Sequence, residues 1–368
     1  MPGQGIGVSE RVAKATISMW LKKLHTETIQ NYALLSVIQK KGNVNYGGSG
    51  GELRWVFQYR DHDLDGHIDG APKAFKRKKV IENANLDWRG YESTEVITLK
   101  EREQQSGEEA MIKIFGAREK MMREGLMRQL GKEWYVDGNA AGNAERFHGV
   151  ESMMSSGVQT AADDLATLPN DTYAGVSTAY GSLKSNAVKG VDEEYGVWSP
   201  VIVNTNVNPG GGNRAWADFA DEFMRLGIIE ASYGTTSTDN IDLILLTKTA
   251  YRQFLNIADD KERINIMRGA DVELVSLGFK NFVNFDGVQV GWDFGISATD
   301  PAANVVHGYG FNCDKLYLKV LGGKDRKTLW GSKLTWNDDY ASDRIYLHLL
   351  GNLCFESPRH FVAFKDLN

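Results

Sequence analysis

Cysteine is almost absent from this 368-residue chain: only Cys313 and Cys354 occur, in no metal or redox spacing. That excludes a disulfide framework and fits a reducing compartment. Proline is nearly as scarce, seven residues against 39 glycines, so turns are expected to be tight and glycine-built rather than carried by proline-rich linkers. Positive charge is not in excess either. The formal net charge is −6, which argues against a dedicated nucleic-acid binder. No apolar run approaches the length needed to span a bilayer, and the first residues carry no signal-type apolar stretch, so a protein made and kept in a cytoplasm is expected. What is present is ordinary for a globular chain: 42% hydrophobic and 24% charged residues, with length for a sizeable core in two or three lobes.

Motifs that would carry chemistry mostly fail on inspection. Asp61-His62-Asp63-Leu64-Asp65-Gly66-His67-Ile68-Asp69 follows the opening of a calcium-binding EF-hand loop, with oxygen ligands and the central glycine in place. The closing bidentate Glu is replaced by Pro72, and the flanks read as strands, so a solvated hairpin tip is the better reading. Gly47-Gly48-Ser49-Gly50-Gly51 satisfies the hydrolase elbow pattern only in letters, because it leads into a strand and not from a buried strand into a helix. The seven histidines show no zinc-type pairing, and no carboxylate is singled out as a general acid or base. No catalytic, cofactor-binding or metal-ligating residue is assigned.

The organisation of the chain is more telling. Ser106–Gly131 predicts one long helix, opened by a capping box of Ser106 and Glu109 and stopped by Gly131. Met111, Ile114, Phe115, Met122, Leu126 and Leu130 share one face. The pairs Glu109–Lys113, Glu119–Arg123 and Glu124–Arg128 are expected on the opposite one. Ahead of this rod, Leu53, Trp55, Phe57 and Tyr59 alternate along a strand, and Glu92–Leu99 is its expected partner across a long polar stretch. An isolated two-stranded finger is marginal in water, so it is expected to lie on another copy of the chain. Trp55, Phe57 and the basic run Lys73, Lys76, Arg77, Lys78 and Lys79 are the candidate inter-subunit contacts; plain solvation is the rival reading of the basic run. Residues 1–50 read as a weakly helical, basic arm. Downstream, a helix from Asn213 to Gly227, a strand Ile241–Leu246 and a Thr247-capped helix suggest a mixed lobe, followed by strands at Val272–Leu277, Val288–Trp292, Lys315–Val320, Ile345–Leu350 and Phe361–Phe364.

This order of parts resembles the major capsid proteins of tailed bacteriophages, the Hong Kong ninety-seven type fold. Arm, finger and spine helix match in sequence order. Asp242–Thr247 with the helix containing Tyr251 is similar to the axial domain of that family, and Gly351–His360 to its closing stretches. The resemblance implies an α+β phage capsid fold. Its parts would be an N-terminal arm (1–50), an extended two-stranded loop (51–105), a peripheral domain with the spine helix (106–156), an axial domain (157–300), and strands returning to both (301–368). It implies a non-enzymatic protein that assembles with itself into pentamers and hexamers, and then into an icosahedral shell enclosing phage genomic DNA without sequence-specific binding. A separate scaffolding protein is implied, since the residues before the finger are too few for a scaffolding domain. A portal protein, a decoration protein, assembly in the host cytoplasm and residence in the virion are implied too; a membrane or cofactor is not. Some members crosslink subunits through Lys and Asn; Asn352 lies near the end here, but no local motif fixes such a pair. The rivals are an encapsulin-like compartment with enzyme cargo, a soluble enzyme using Asp61–Asp69, and a tail or baseplate protein.

Overall fold

The computed structural model describes residues 33–60, 79–104, 108–154, 158–159, 167–168, 171–179, 182–183, 196–205, 215–232, 239–260, 282–322, 331–337 and 342–367. The run Ala-Leu-Leu-Ser-Val-Ile offers no polar stripe to water. Accordingly helix α1 (Ala33–Lys40) is buried at every position from Ala33 to Ile38. Gly42, with φ of 73°, reverses the chain into β1 (Val44–Gly48). Next come β2 (Glu52–Gln58), β3 (Ile81–Asp87), β4 (Arg89–Thr98), α2 (Leu99–Gln104) and the long helix α3 (Glu108–Glu133). A 3-10 turn at Val150–Ser152 precedes two short antiparallel pairs. These are β5 (Val158–Gln159) with β6 (Thr167–Leu168), and β7 (Thr172–Tyr173) with β8 (Val176–Ser177). Then follow β9 (Val201–Asn204), α4 (Trp216–Ala231), β10 (Leu243–Leu246), α5 (Lys248–Asp260), β11 (Val283–Phe285) and β12 (Val288–Trp292). The chain closes with β13 (Val305–Phe311), β14 (Leu316–Leu321), β15 (Gly331–Asn337), β16 (Ser342–Phe355) and β17 (Val362–Asp366).

Two sheets organise these elements. A six-stranded mixed sheet runs β11-β12-β10-β13-β17-β9, and α4 and α5 cover one face through a core containing Trp216, Phe223, Phe254, Phe285 and Phe364. Gly227 lies inside α4 and does not end it. A Cβ there would stand 2.8 Å from the Phe364 ring, so this glycine serves close helix-to-sheet packing. Thr247 accepts from the Ala250 amide at 3.3 Å and caps α5 as expected. The second sheet is built on β16, which pairs with β14 and β15 along one edge and with β4 along the other, while β1 lies parallel to β14. The other face of the first sheet joins this second body in a single core with Trp134, Phe147, Trp198, Phe311 and Phe355. Among the described residues no helix is long and apolar enough to cross a membrane.

Two local expectations change. The partner of β2 is β3, in register from Glu52↔Asp87 to Gln58↔Ile81, and not Glu92–Leu99. The latter belongs to β4, which forms a longer ladder with β16 from Thr98↔Ser342 to Arg89↔Gly351. Strand β3 hides in the sequence because its inward side is only Ala84 and Leu86 among Glu, Asn and Asp residues. On α3, Glu119 and Arg123 lie in the buried stripe with Met122, Leu126 and Leu130, not on the solvent face. The Ser106 cap lies outside the described residues, and α3 runs two residues beyond Gly131.

Buried polar contacts fix how the two bodies meet. Lys365 of β17 is fully buried, its Nζ 2.7 Å from Glu151 in the turn after the spine helix and 3.1 Å from Asp300. The Tyr309 hydroxyl donates to the same Glu151. Burial pushes the Glu151 carboxyl up despite Lys365. Asp300, although burial works against its charge, is held below its usual value by Lys365 and Asn304. Nearby, Asp293 accepts from the Tyr135 hydroxyl at 3.0 Å and from the Leu34 amide at 3.5 Å, so it joins α3 to the start of α1. Lys41 ties the other end of α1 to Asp242 and, at 3.0 Å, to Asp314. Residues 33–48 of the segment read as an arm are thus built into the body.

Candidate functional site

The finger leaves the body at Gly50, whose φ of 102° suits glycine and whose carbonyl accepts from Trp88 Nε1 at 2.9 Å. Strand alternation then divides β2 and β3 into two faces. Leu53, Trp55 and Phe57 point inward. Phe57 stacks on Trp198 with ring centroids 4.0 Å apart, and Trp55 lies 6.4 Å from both Trp198 and Tyr173. Trp55 Nε1 donates to the Glu356 carbonyl at 3.4 Å, and Lys319 Nζ stands 5.9 Å from the Trp55 ring centre. The finger root therefore has a platform within its own chain, and both aromatic residues are half-buried there. On the outer face Val56 and Ile81 are diagonal neighbours, 62% and 50% exposed. The period-two alternation of β2 carries the signal for Val56, whereas Ile81 lies in a strand with too few apolar residues to mark its face in the sequence.

Lys79 sits at the far end of the ribbon. Tyr59 donates to its carbonyl at 2.8 Å, and its ammonium pairs with Glu82. Lys73, Lys76, Arg77 and Lys78 lie outside the described residues, as do Asp61–Asp69. Among the described residues no three His, Cys, Asp or Glu side chains stand together as metal ligands. The two thiols are buried, and burial pushes that of Cys354 up to about 12.

Behind the finger the spine helix is clamped by charge. Arg118 reaches Glu95 of β4 at 2.6 Å and Glu101 of α2 at 2.9 Å, joining the three elements that carry the finger into the helix. Within the buried stripe Arg123 pairs with Glu119 at 2.7 Å, their side chains only 5% and 3% exposed, and Glu119 Oε2 has no partner among the described residues. Desolvation raises the Glu119 carboxyl and lowers the Arg123 guanidinium. Gly116 and Gly125 both lie in α3, and a Cβ at either would meet nothing within 4 Å.

At the finger root lies a polar crevice of about 430 Å³, walled by β3, the loop near Asn139 and His148, and the β7–β8 hairpin. The hairpin turns on Ala174 and Gly175, both with positive φ, as a two-residue turn of the I′ kind requires. Asn85 donates its amide to Ala174 O at 2.9 Å, so hairpin and finger strand are one unit. Asn352 does not line the crevice but holds two of its lining residues, Asp87 and His148. Its Oδ1 accepts from the His148 and Leu353 amides, and its Nδ2 donates to Asp87 O and faces His148 Nδ1 at 2.9 Å. The Asn352 amide is fully buried and engaged within its own chain.

No family model matches the sequence, and no curated protein matches it. Solved structures do match the whole fold. The capsid of cyanophage A-1(L) aligns over 93% of this chain and 93% of its own, with a TM-score of 0.58 and 14% identity. The capsid of a native GTA particle aligns over 90% and 91%, with a TM-score of 0.54 and 7% identity. The encapsulin of the holo-SrpI complex from Synechococcus elongatus aligns over 90% and 87%, with a TM-score of 0.50 and 8% identity. The architecture is accordingly the α+β capsid fold expected from the order of arm, finger and spine helix.

Proposed function

We propose that this chain is the major capsid protein of a tailed phage, a structural protein without enzymatic activity that assembles with itself into pentamers and hexamers and then into an icosahedral shell around DNA. The observation that carries the reading is the extent of the fold likeness, about nine-tenths of both chains against shells of phage and GTA particles. The finger supports it: Val56 and Ile81 leave an apolar pair exposed on the outer face of the ribbon, suited to lying across a neighbour. Trp55 and Phe57 would act from below, stiffening the root, while Lys73, Lys76, Arg77, Lys78 and Lys79 would meet acidic groups on an adjacent subunit. The net charge of −6 suits a wall that encloses DNA without gripping it. A separate scaffolding protein, a portal and a decoration protein would complete the assembly, in the host cytoplasm and then in the virion.

Electron microscopy of the purified protein, alone and with its scaffolding partner, tests this reading. Closed shells are the expected result; a persistent monomer under both conditions overturns it. Val56→Asp with Ile81→Asp should leave a folded subunit that fails to assemble. The encapsulin likeness favours one alternative, a compartment that assembles without scaffold and holds enzyme cargo. Shells isolated with packaged protein and no DNA would decide for it.

A further inference from the structure

Three titratable side chains are enclosed where the two bodies join, and their charges do not balance. Lys365 and Asp300 have no side-chain exposure and Glu151 has 6%. Among the described residues this lysine is the only cation in contact with either acid. With both acids ionised the site would hold a net negative charge away from water, which a dry interior strongly disfavours. The donors show which acid keeps its charge. Asp300 Oδ1 accepts the Ala302 and Asn304 amides at 3.0 and 2.9 Å, and Oδ2 accepts Asn304 Nδ2 at 3.0 Å as well as Lys365 Nζ. Glu151 has fewer: the Tyr309 hydroxyl on Oε1 and Lys365 Nζ on Oε2. Burial accordingly raises Glu151, while Lys365 and Asn304 hold Asp300 low against its own burial. The balanced arrangement is one ammonium, a carboxylate on Asp300 and a carboxylic acid on Glu151.

Lys365 Nζ thus stands 2.7 Å from the Oε2 of an acid, with a carboxylate at 3.1 Å and a hydroxyl donating to the acid's other oxygen. These are the parts of an acyl transfer to nitrogen: nucleophile, base and oxyanion donor. We propose that Lys365 and Glu151 condense to an isopeptide bond inside the subunit, with Asp300 as general base and Tyr309 as oxyanion donor. Asp300 takes one proton from the ammonium. The lone pair thus freed attacks Glu151 Cδ, and the Tyr309 hydroxyl steadies the negative charge that gathers on Oε1. The C–O bond to Oε2 then breaks, and Oε2 leaves as water with its own hydrogen and a second one from Nζ. One hydrogen stays on the new amide and one on Asp300, the site remains neutral, and nothing is oxidised or reduced. Groups held in such contact reach effective concentrations of about 10⁵–10⁸ M, and the sealed site denies the bond the water that would hydrolyse it. The bond would join the turn after α3 to β17, 214 positions apart, and lock the two bodies of one subunit together without any neighbour.

Mass spectrometry of the purified, denatured chain tests this whether or not shells form. The expected mass is that of the sequence less one water, and proteolysis should release a branched peptide joining the Glu151 and Lys365 segments. A full sequence mass, or a water lost elsewhere in the chain, overturns the proposal. Glu151→Gln should still form the bridge, releasing ammonia in place of water. Asp300→Asn keeps the size of the side chain but removes the base, so a chain folded by circular dichroism should remain unbridged. In chain refolded from inclusion bodies, Tyr309→Phe should slow bond formation by about 10²–10³-fold. Folded variants that bridge as fast as wild type overturn the roles given to Asp300 and Tyr309.

Discussion

Replacing Arg123 by methionine should destabilise the subunit far more than loss of a helix-surface charge. Among the described residues its guanidinium is the only cation paired with Glu119, their separation is 2.7 Å, and both side chains are at least 95% buried in the stripe that α3 turns inward. An exposed pair of this spacing is worth about 0.3–0.5 kcal/mol, whereas removing one partner of a buried pair costs about 3–5 kcal/mol. The higher range applies because Glu119 Oε2 already lacks a partner, so the variant would strand a whole carboxylate. The pH dependence has a definite sign. Desolvation places the folded Glu119 above its ordinary value even with Arg123 present. The folded state therefore binds this proton more tightly than the unfolded one, and its contribution to stability declines as pH rises through that window. Without Arg123 the window extends upward, so the deficit should shrink on acidification from neutral pH. Guanidinium unfolding of unassembled subunits across a pH series measures both effects. A cost below about 1 kcal/mol, or a deficit that grows on acidification, would falsify the buried-pair argument. Glu119→Leu with Arg123→Met should recover most of the loss, because a packed apolar pair avoids desolvation altogether.

Glycines of the spine region divide sharply. Gly125→Ala should stabilise the subunit by up to about 1 kcal/mol in thermal unfolding, and in shells it should slow any bending of α3. Gly295→Ala should cost about 1–3 kcal/mol or more, since its Cβ would fall 2.1 Å from the Gly131 carbonyl, where backbone meets backbone. Lys365→Met should cost about 3–5 kcal/mol by leaving Glu151 and Asp300 buried without a cation. His148, lowered to about 4, binds fewer protons folded than unfolded between that value and about 6.5, so stability should fall on acidification through this range. His148→Gln should flatten that part of the pH–stability curve.

Strong periodicity made several elements legible beforehand. The second half of the α3 stripe (Met122, Leu126 and Leu130), the alternation of Leu53, Trp55 and Phe57, and the boundaries of β12 are legible in the sequence, whereas the side chains of Met111, Ile114 and Phe115 lie outside the described residues. Pairing was not legible in the same way: β3 carries so few apolar side chains that β4 looked the better partner until β16 claimed it. Lys365 shows why buried charge escapes sequence reading, since a lysine alternating in a strand normally reaches water and only the meeting of two bodies encloses this one. The crevice escaped for a related reason. Its walls come from residues 85–89, 139–148 and 171–175, and no spacing within any one stretch announces the others.

Helix α1 has a consequence for how the chain is made. Its apolar residues leave the ribosome well before their partner, since the carboxylate that receives the Leu34 amide belongs to Asp293, 259 positions later. At about 5–20 residues per second, the helix waits roughly 15–50 s for that partner. Through this interval Ala-Leu-Leu-Ser-Val-Ile has no final resting place, and loop closure over such a span is slow in its own right. Folding of this protein is therefore expected to depend on chaperones that shield residues 33–38 during synthesis. Residues 33–38 would be made long before Asp293 and seated only after it.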